Sequence, residues 1–261
     1  MKEALIWAAG GTGFTFLMTA LGSALVFIFR KKVNPAFQKI FLGFAAGVMI
    51  AASVWSLIVP AVEQAESSGS IGFIPAAGGV LLGAAFLLLL DRLIPHLHID
   101  SDKAEGHPAN FKRTTLMTMA VTLHNIPEGM AVGLAFALAA QEGTDFTAAA
   151  ALALGIGIQN FPEGAAISLP LREEGISSSR AFIRGSLSGI VEPIFGVLVV
   201  LIYPLIEPVM PWLLCFAAGA MIYVVVEELI PEAHLDAHSH QGTFGFIAGF
   251  VIMMVLDIAL G

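Results

Sequence analysis

The chain has 261 residues, 57% of them apolar and only 12% charged, with a mean hydropathy of +0.86. A soluble domain carries about 25% charged residues, so this composition cannot build a water-facing shell, and an ordinary soluble enzyme and a disordered chain are excluded. A net charge of −8 argues against a nucleic-acid partner, and the single cysteine, Cys215, leaves no intrachain disulfide and no Cys-based zinc site.

What remains is an all-α integral membrane protein in a lipid bilayer. A helix needs about 20 apolar residues to cross about 30 Å of hydrocarbon. Eight stretches of that kind are predicted, over residues 5–29, 38–62, 71–94, 115–140, 146–171, 181–204, 211–230 and 243–260. The connections are short, so residues 1–261 form a single transmembrane domain. The first stretch is too long for a signal-peptide core, and its positive charge follows it rather than preceding it. Arg30, Lys31, Lys32 and Lys39 follow span 1. Arg92, Lys103, Lys112 and Arg113 lie between spans 3 and 4, and Arg172, Arg180 and Arg184 between spans 5 and 6. Every basic residue except Lys2 therefore falls on one side, which the positive-inside rule makes cytoplasmic, and both termini face outward.

The spans repeat. Phe44-Ala-Ala-Gly-Val-Met-Ile50 in span 2 and Phe216-Ala-Ala-Gly-Ala-Met-Ile222 in span 7 differ at one residue. Spans 3 and 8 share Gly83…Asp91 and Gly249…Asp257. Spans 1 and 6 share Gly11…Gly22 and Gly185…Gly196 at equal spacing. Spans 1–3 thus return as 6–8, and the odd separation of five inverts the copies. Inverted repeats with a site at the midplane are a transporter signature.

Spans 4 and 5 carry the chemistry. Span 4 reads His124-Asn125-Ile126-Pro127-Glu128-Gly129, and span 5 reads Gln159-Asn160-Phe161-Pro162-Glu163-Gly164. His124 and Glu128 stand at i and i+4 on one helix face, as do Gln159 and Glu163, while Asn125 and Asn160 sit one residue round. Pro127 and Pro162 free the carbonyls of Leu123 and Ile158, so each Glu is expected on a bent, opened segment. Span 6 adds Glu192 before Pro193. Three carboxylates and an imidazole at midplane are very costly without compensation, and every Lys and Arg lies in a loop or at a span end, out of reach to pair with them. Imidazole, carboxylate and amide donors without thiolate suit a divalent metal such as zinc, iron or manganese.

At these residues the sequence resembles the ZIP (Zrt-, Irt-like protein) family of divalent-metal transporters, closest to its bacterial GufA-like branch, over all eight spans. The resemblance implies a 3+2+3 helix arrangement and a binuclear metal centre. By it, His124, Glu128, Gln159 and Glu163 would hold one ion. Asn125, Asn160 and Glu192 would hold a second, with Glu128 and Glu163 bridging. Met49 matches the position of a span-2 methionine that contributes to the first site; as a residue type it serves equally well as packing. The resemblance also implies an elevator motion of spans 1, 4, 5 and 6 against 2, 3, 7 and 8. Gln159 stands where relatives place a histidine and Asn160 where some have a carboxylate. Amides bind zinc more weakly, which implies broad divalent use extending to cadmium, iron and manganese.

Six of the seven histidines fall in two acidic segments on the cytoplasmic side, where Asp91, His96, Glu228 and His234 could line an exit; solvated loop polarity is the simpler reading of the same residues. Glu63, Glu66, Glu142, Asp145 and Glu207 make an acidic outer mouth that would concentrate cations. The absence of a phosphate-binding Gly-Lys-Ser/Thr loop argues against ATP use. The expected function is uptake of divalent metal, zinc foremost, across the plasma (cell inner) membrane, with no enzymatic activity; a homodimer is compatible with the sequence. Two alternatives stand beside it: an intramembrane metal-dependent hydrolase using His124 and Glu128, and a proton- or sodium-coupled carrier of another solute.

Overall fold

The computed structural model describes residues 2–29, 34–93, 113–142, 146–173, 175–233 and 240–260. All regular structure among them is helical: α1 (Lys2–Ser23), α2 (Pro35–Ala52), α3 (Val59–Ser67), α4 (Phe73–Leu93), α5 (Arg113–Glu142), α6 (Phe146–Glu173), α7 (Ser178–Ser188), α8 (Val191–Ile206), α9 (Met210–Val224), α10 (Ile230–Ala233) and α11 (Gln241–Leu260). Backbone polar groups in hydrocarbon must be satisfied within the segment, which leaves the helix as the way an apolar chain of this composition folds. Local signals set the ends. Asn34 accepts from Ala36 N at 3.0 Å and Pro35 follows, a side-chain cap with proline where no donor is needed.

Among the described residues, five stretches are long and apolar enough to cross a membrane: Lys2–Phe27, Ala36–Ser67, Phe73–Leu90, Ser178–Leu229 and Gln241–Ala259. The fourth of these holds α7, α8 and α9, with a 3₁₀ turn at Glu207–Val209. Leucine, isoleucine, valine and phenylalanine side chains cover the outward faces, including Leu81, Leu205, Phe244 and Ile258, as they must where the solvent is lipid.

Helix pairs carry the fold: α2 on α11, α4 on α9, α1 on α6 and α5 on α8. Glycines let their backbones touch. A Cβ on Gly47 would strike the Phe246 carbonyl, and one on Gly249 the Phe44 carbonyl. In the other pair, Gly219 meets the Val80 carbonyl and Gly83 the Phe216 carbonyl. These two seams correspond position by position under the repeat read from spans 2 and 7 and spans 3 and 8. The backbone shares it too. The chain between α2 and α3 (Ser53–Ile58) and that between α9 and α10 (Val225–Leu229) both loosen into π-helix at matching positions.

The helices run unbroken through Pro127 and Pro162. The interruption near the polar residues falls instead at Gly189–Ile190, between α7 and α8, and it makes Glu192 a first-turn residue of α8.

Candidate metal centre

The glycine that ends each hexapeptide decides what the preceding glutamate faces. A side chain on Gly129 would strike the backbone of Glu192 in α8, and one on Gly164 the backbone of Thr19 in α1. Each Pro-Glu-Gly turn is thereby pressed against a neighbouring helix at one defined residue. The asparagines repeat the relation: Asn125 Nδ2 donates to Ser188 O at 3.1 Å and Asn160 Nδ2 to Thr15 O at 3.4 Å. The packing of α1 on α6 therefore matches that of α7 and α8 on α5, with Thr15 answering Ser188 and Thr19 answering Glu192. Thr19 and Glu192 are 173 residues apart. The match of Gly11 and Gly22 to Gly185 and Gly196 runs one residue out of step with that register, because equally spaced glycines in two apolar helices align in more than one way.

Asn125, Glu128, Gln159, Asn160, Glu163 and Glu192 are all buried. Gln159 Nε2 donates to Glu128 Oε1 at 2.8 Å and to Asn160 Oδ1 at 2.8 Å. Asn160 Nδ2 donates to Glu192 Oε2 at 2.9 Å, and Thr19 Oγ1 to Glu192 Oε1 at 3.4 Å. A continuous chain of bonds thus runs from Glu128 through Gln159 and Asn160 to Glu192, across α5, α6 and α8, and ends on α1. Among the described residues, Asn125 Oδ1, Gln159 Oε1 and Glu163 Oε2 accept no hydrogen bond. Buried polar atoms are ordinarily paired, so acceptors left over where the amide donors are already used mark a place for something positively charged.

Other expected residues are placed as follows. Met49 is buried on α2, and Ser53 Oγ, at the start of the π segment that follows, donates to the Met49 carbonyl at 2.7 Å. Glu228 is buried in the π segment after α9. His124 lies on α5 and Asp91 on α4, but their side chains, together with His96 and His234, lie outside the described residues. Among the described residues there is no group of three or more His, Cys, Asp or Glu side chains in metal-holding reach. The cluster at the centre is a mixed one of carboxylates and amides.

Two features escaped the sequence reading. Thr19 reaches Glu192, and Ser56 Oγ donates to Asp257 Oδ1 at 2.5 Å between α11 and the π segment after α2. Ser56, Asp257, Glu63 and Gln64 line a cavity of about 620 Å³ between those elements and α5, α6 and α9. Repeats of Thr12, Thr15, Thr19 and Ser23 along one face of α1, all buried, were the available signal for the first feature.

Comparison with known proteins adds an independent line. The profile of the ZIP zinc transporter family matches residues 98–257. Zinc transporter ZIP11 of Homo sapiens is 40% identical over 330 aligned residues, spanning 96% of each chain. Zinc transporter GufA of Myxococcus xanthus is 39% identical, spanning 93% of this chain and 94% of its own. Zinc transporter ZIPB of Bordetella bronchiseptica is 38% identical, spanning 98% and 82%.

Proposed function

The chain belongs to the ZIP zinc transporter family, and on that premise we propose how it carries its cargo. It is a multi-pass membrane protein that transports divalent metal, zinc above all, and it is not an enzyme. The observation that carries the site reading is the sorting of polar atoms at the centre: amide donors spent on protein acceptors, and oxygens of Asn125, Gln159 and Glu163 left over.

In this reading Glu128, Gln159 and Glu163 bind the first ion together with His124. The repeat supports the fourth ligand, since it relates His124 to Gln159 and Glu163 to Glu128, so an imidazole would face Glu163 as the Gln159 amide faces Glu128. Met49 supplies a soft sulfur beside them. Asn125, Asn160 and Glu192 form a second position, bridged by Glu128 and Glu163. Oxygen-rich, weakly basic ligands bind a divalent ion without trapping it, which a carrier needs, and they admit cadmium, iron and manganese as well. Binding releases protons from the ligands, so affinity falls in acid.

The glycine seams favour eight spans in a 3+2+3 inverted repeat, moving as two bodies. α2 with α11 and α4 with α9 make the fixed one; α1 with α6 and α5 with α8 make the one that slides. The cavity bearing Glu63 and Asp257 is the outer mouth, and Asp91, His96, Glu228 and His234 mark the inner exit. The sorting of Lys and Arg gives the direction, into the cytoplasm across the inner membrane, with both termini outside. Uptake follows the metal gradient and the inside-negative potential. Zinc uptake by reconstituted vesicles tests the reading: Glu163→Gln and Glu128→Gln should each lower uptake at least roughly tenfold, and unchanged uptake in either variant overturns the site.

A further inference from the structure

Glu192 has its two oxygens engaged from different sides. Asn160 Nδ2 donates to Oε2 at 2.9 Å, and Thr19 Oγ1 approaches Oε1 at 3.4 Å while also lying 3.3 Å from Thr15 O. A carboxylate offers about four lone-pair sites, and the Thr15 side chain also hydrogen-bonds Glu192, so donors from α1 and α6 together fix where its remaining direction points. One donor would fix only one oxygen and leave the carboxylate plane free to swing about it. The register of the repeat makes Thr19 the counterpart of Glu192: the first meets Gly164 and the second meets Gly129, and the two meet each other where the copies join. Gly189, at the break between α7 and α8, closes the third side. A Cβ there would sit 2.9 Å from Thr19 Oγ1 and 3.0 Å from Glu192 Oε1, so glycine leaves room for this pair. Its φ of −83° is open to any residue, which makes the space, not the backbone, the constraint.

We propose that Thr19 is a positioning residue for metal binding: its hydroxyl, from α1, holds the Glu192 carboxylate in the orientation that the second ion requires. The inference rests on the metal-centre reading above and assigns a role to a helix outside the paired motifs. It also ties α1 to the centre by a polar contact, so that α1 and α8 hold one carboxylate between them.

The test is a zinc titration of the purified full-length protein, read by calorimetry. The binding event that Glu192→Gln removes is the second position. Thr19→Val keeps the branched shape and deletes the hydroxyl; it should weaken that event roughly tenfold relative to the first. Thr19→Ser keeps the hydroxyl and should return it to within about twofold of the wild type. Gly189→Ala, which wedges a methyl group between Thr19 and Glu192 and leaves both side chains intact, should reproduce the weakening. The proposal is overturned if Thr19→Val binds like the wild type, or if Thr19→Ser is as weak as Thr19→Val, which would mark a packing role. If Glu192→Gln removes no event while other zinc binding persists, the second position itself is wrong and the inference falls with it.

Discussion

Gln159 on α6 donates its amide to Glu128 on α5 at 2.8 Å, joining the two copies of the hexapeptide through unlike residues. In a perfectly repeated pair the same place would hold an imidazole. The amide holds a carboxylate oxygen by one end and, among the described residues, keeps Oε1 unbonded at the other, so in the proposed site it would orient Glu128 and offer an oxygen ligand. Replacing it with leucine removes both functions. Gln159→Leu should lower zinc affinity roughly 10–100-fold, the usual cost of losing a partner that orients a ligand. Gln159→His should bind zinc more tightly and release it more slowly, with lower maximal uptake. Calorimetry and vesicle uptake on the same two variants check both statements.

Metal should also stabilise the fold, because the oxygens left over at the centre gain a partner. At a zinc concentration of about 100 times the dissociation constant, the gain is about 2.7 kcal/mol. A thermal melt in detergent should therefore shift upward with zinc and return with a chelator. Glu163→Gln should melt at nearly the same temperature with and without zinc.

The glycine seams give a contrast between positions that composition treats alike. Gly47 would put a methyl group into the Phe246 carbonyl, backbone against backbone, and Gly219 does the same to Val80. Neither neighbour is a side chain that can turn aside. Gly47→Ala and Gly219→Ala should each cost about 1–3 kcal/mol, the range for overpacking a close contact. Gly10→Ala, with no atom within 4 Å, should be close to neutral. Melting temperatures of the three variants decide it.

Much of this was legible in the residues. The hexapeptides showed which side chains would be buried together, since polar groups deep in apolar helices have nowhere else to go. The seams were legible in spans 2 and 7 because a near-identical heptapeptide fixes its own register. Span 1 against span 6 was not, because spaced glycines carry little register information; the bonds of Asn125 to Ser188 and of Asn160 to Thr15 supply it. The opening expected at Pro127 and Pro162 lies at Gly189–Ile190. A proline removes one donor, and a helix can absorb that loss when neighbouring groups satisfy the freed carbonyl. Thr19 and Ser56 were passed over because a hydroxyl in an apolar helix usually bonds its own backbone, as Thr12 does to Ala8 O, and its tertiary partner is set by packing alone.

The central claim is a cation bound among the paired motifs, and anomalous diffraction from zinc-soaked crystals at the zinc edge tests it most directly. A peak is expected within about 2.2 Å of oxygens from Glu128, Gln159 and Glu163, with the His124 imidazole completing the shell. Zinc peaks confined to the surface and to the histidine-bearing segments, with none between α5 and α6, would contradict it.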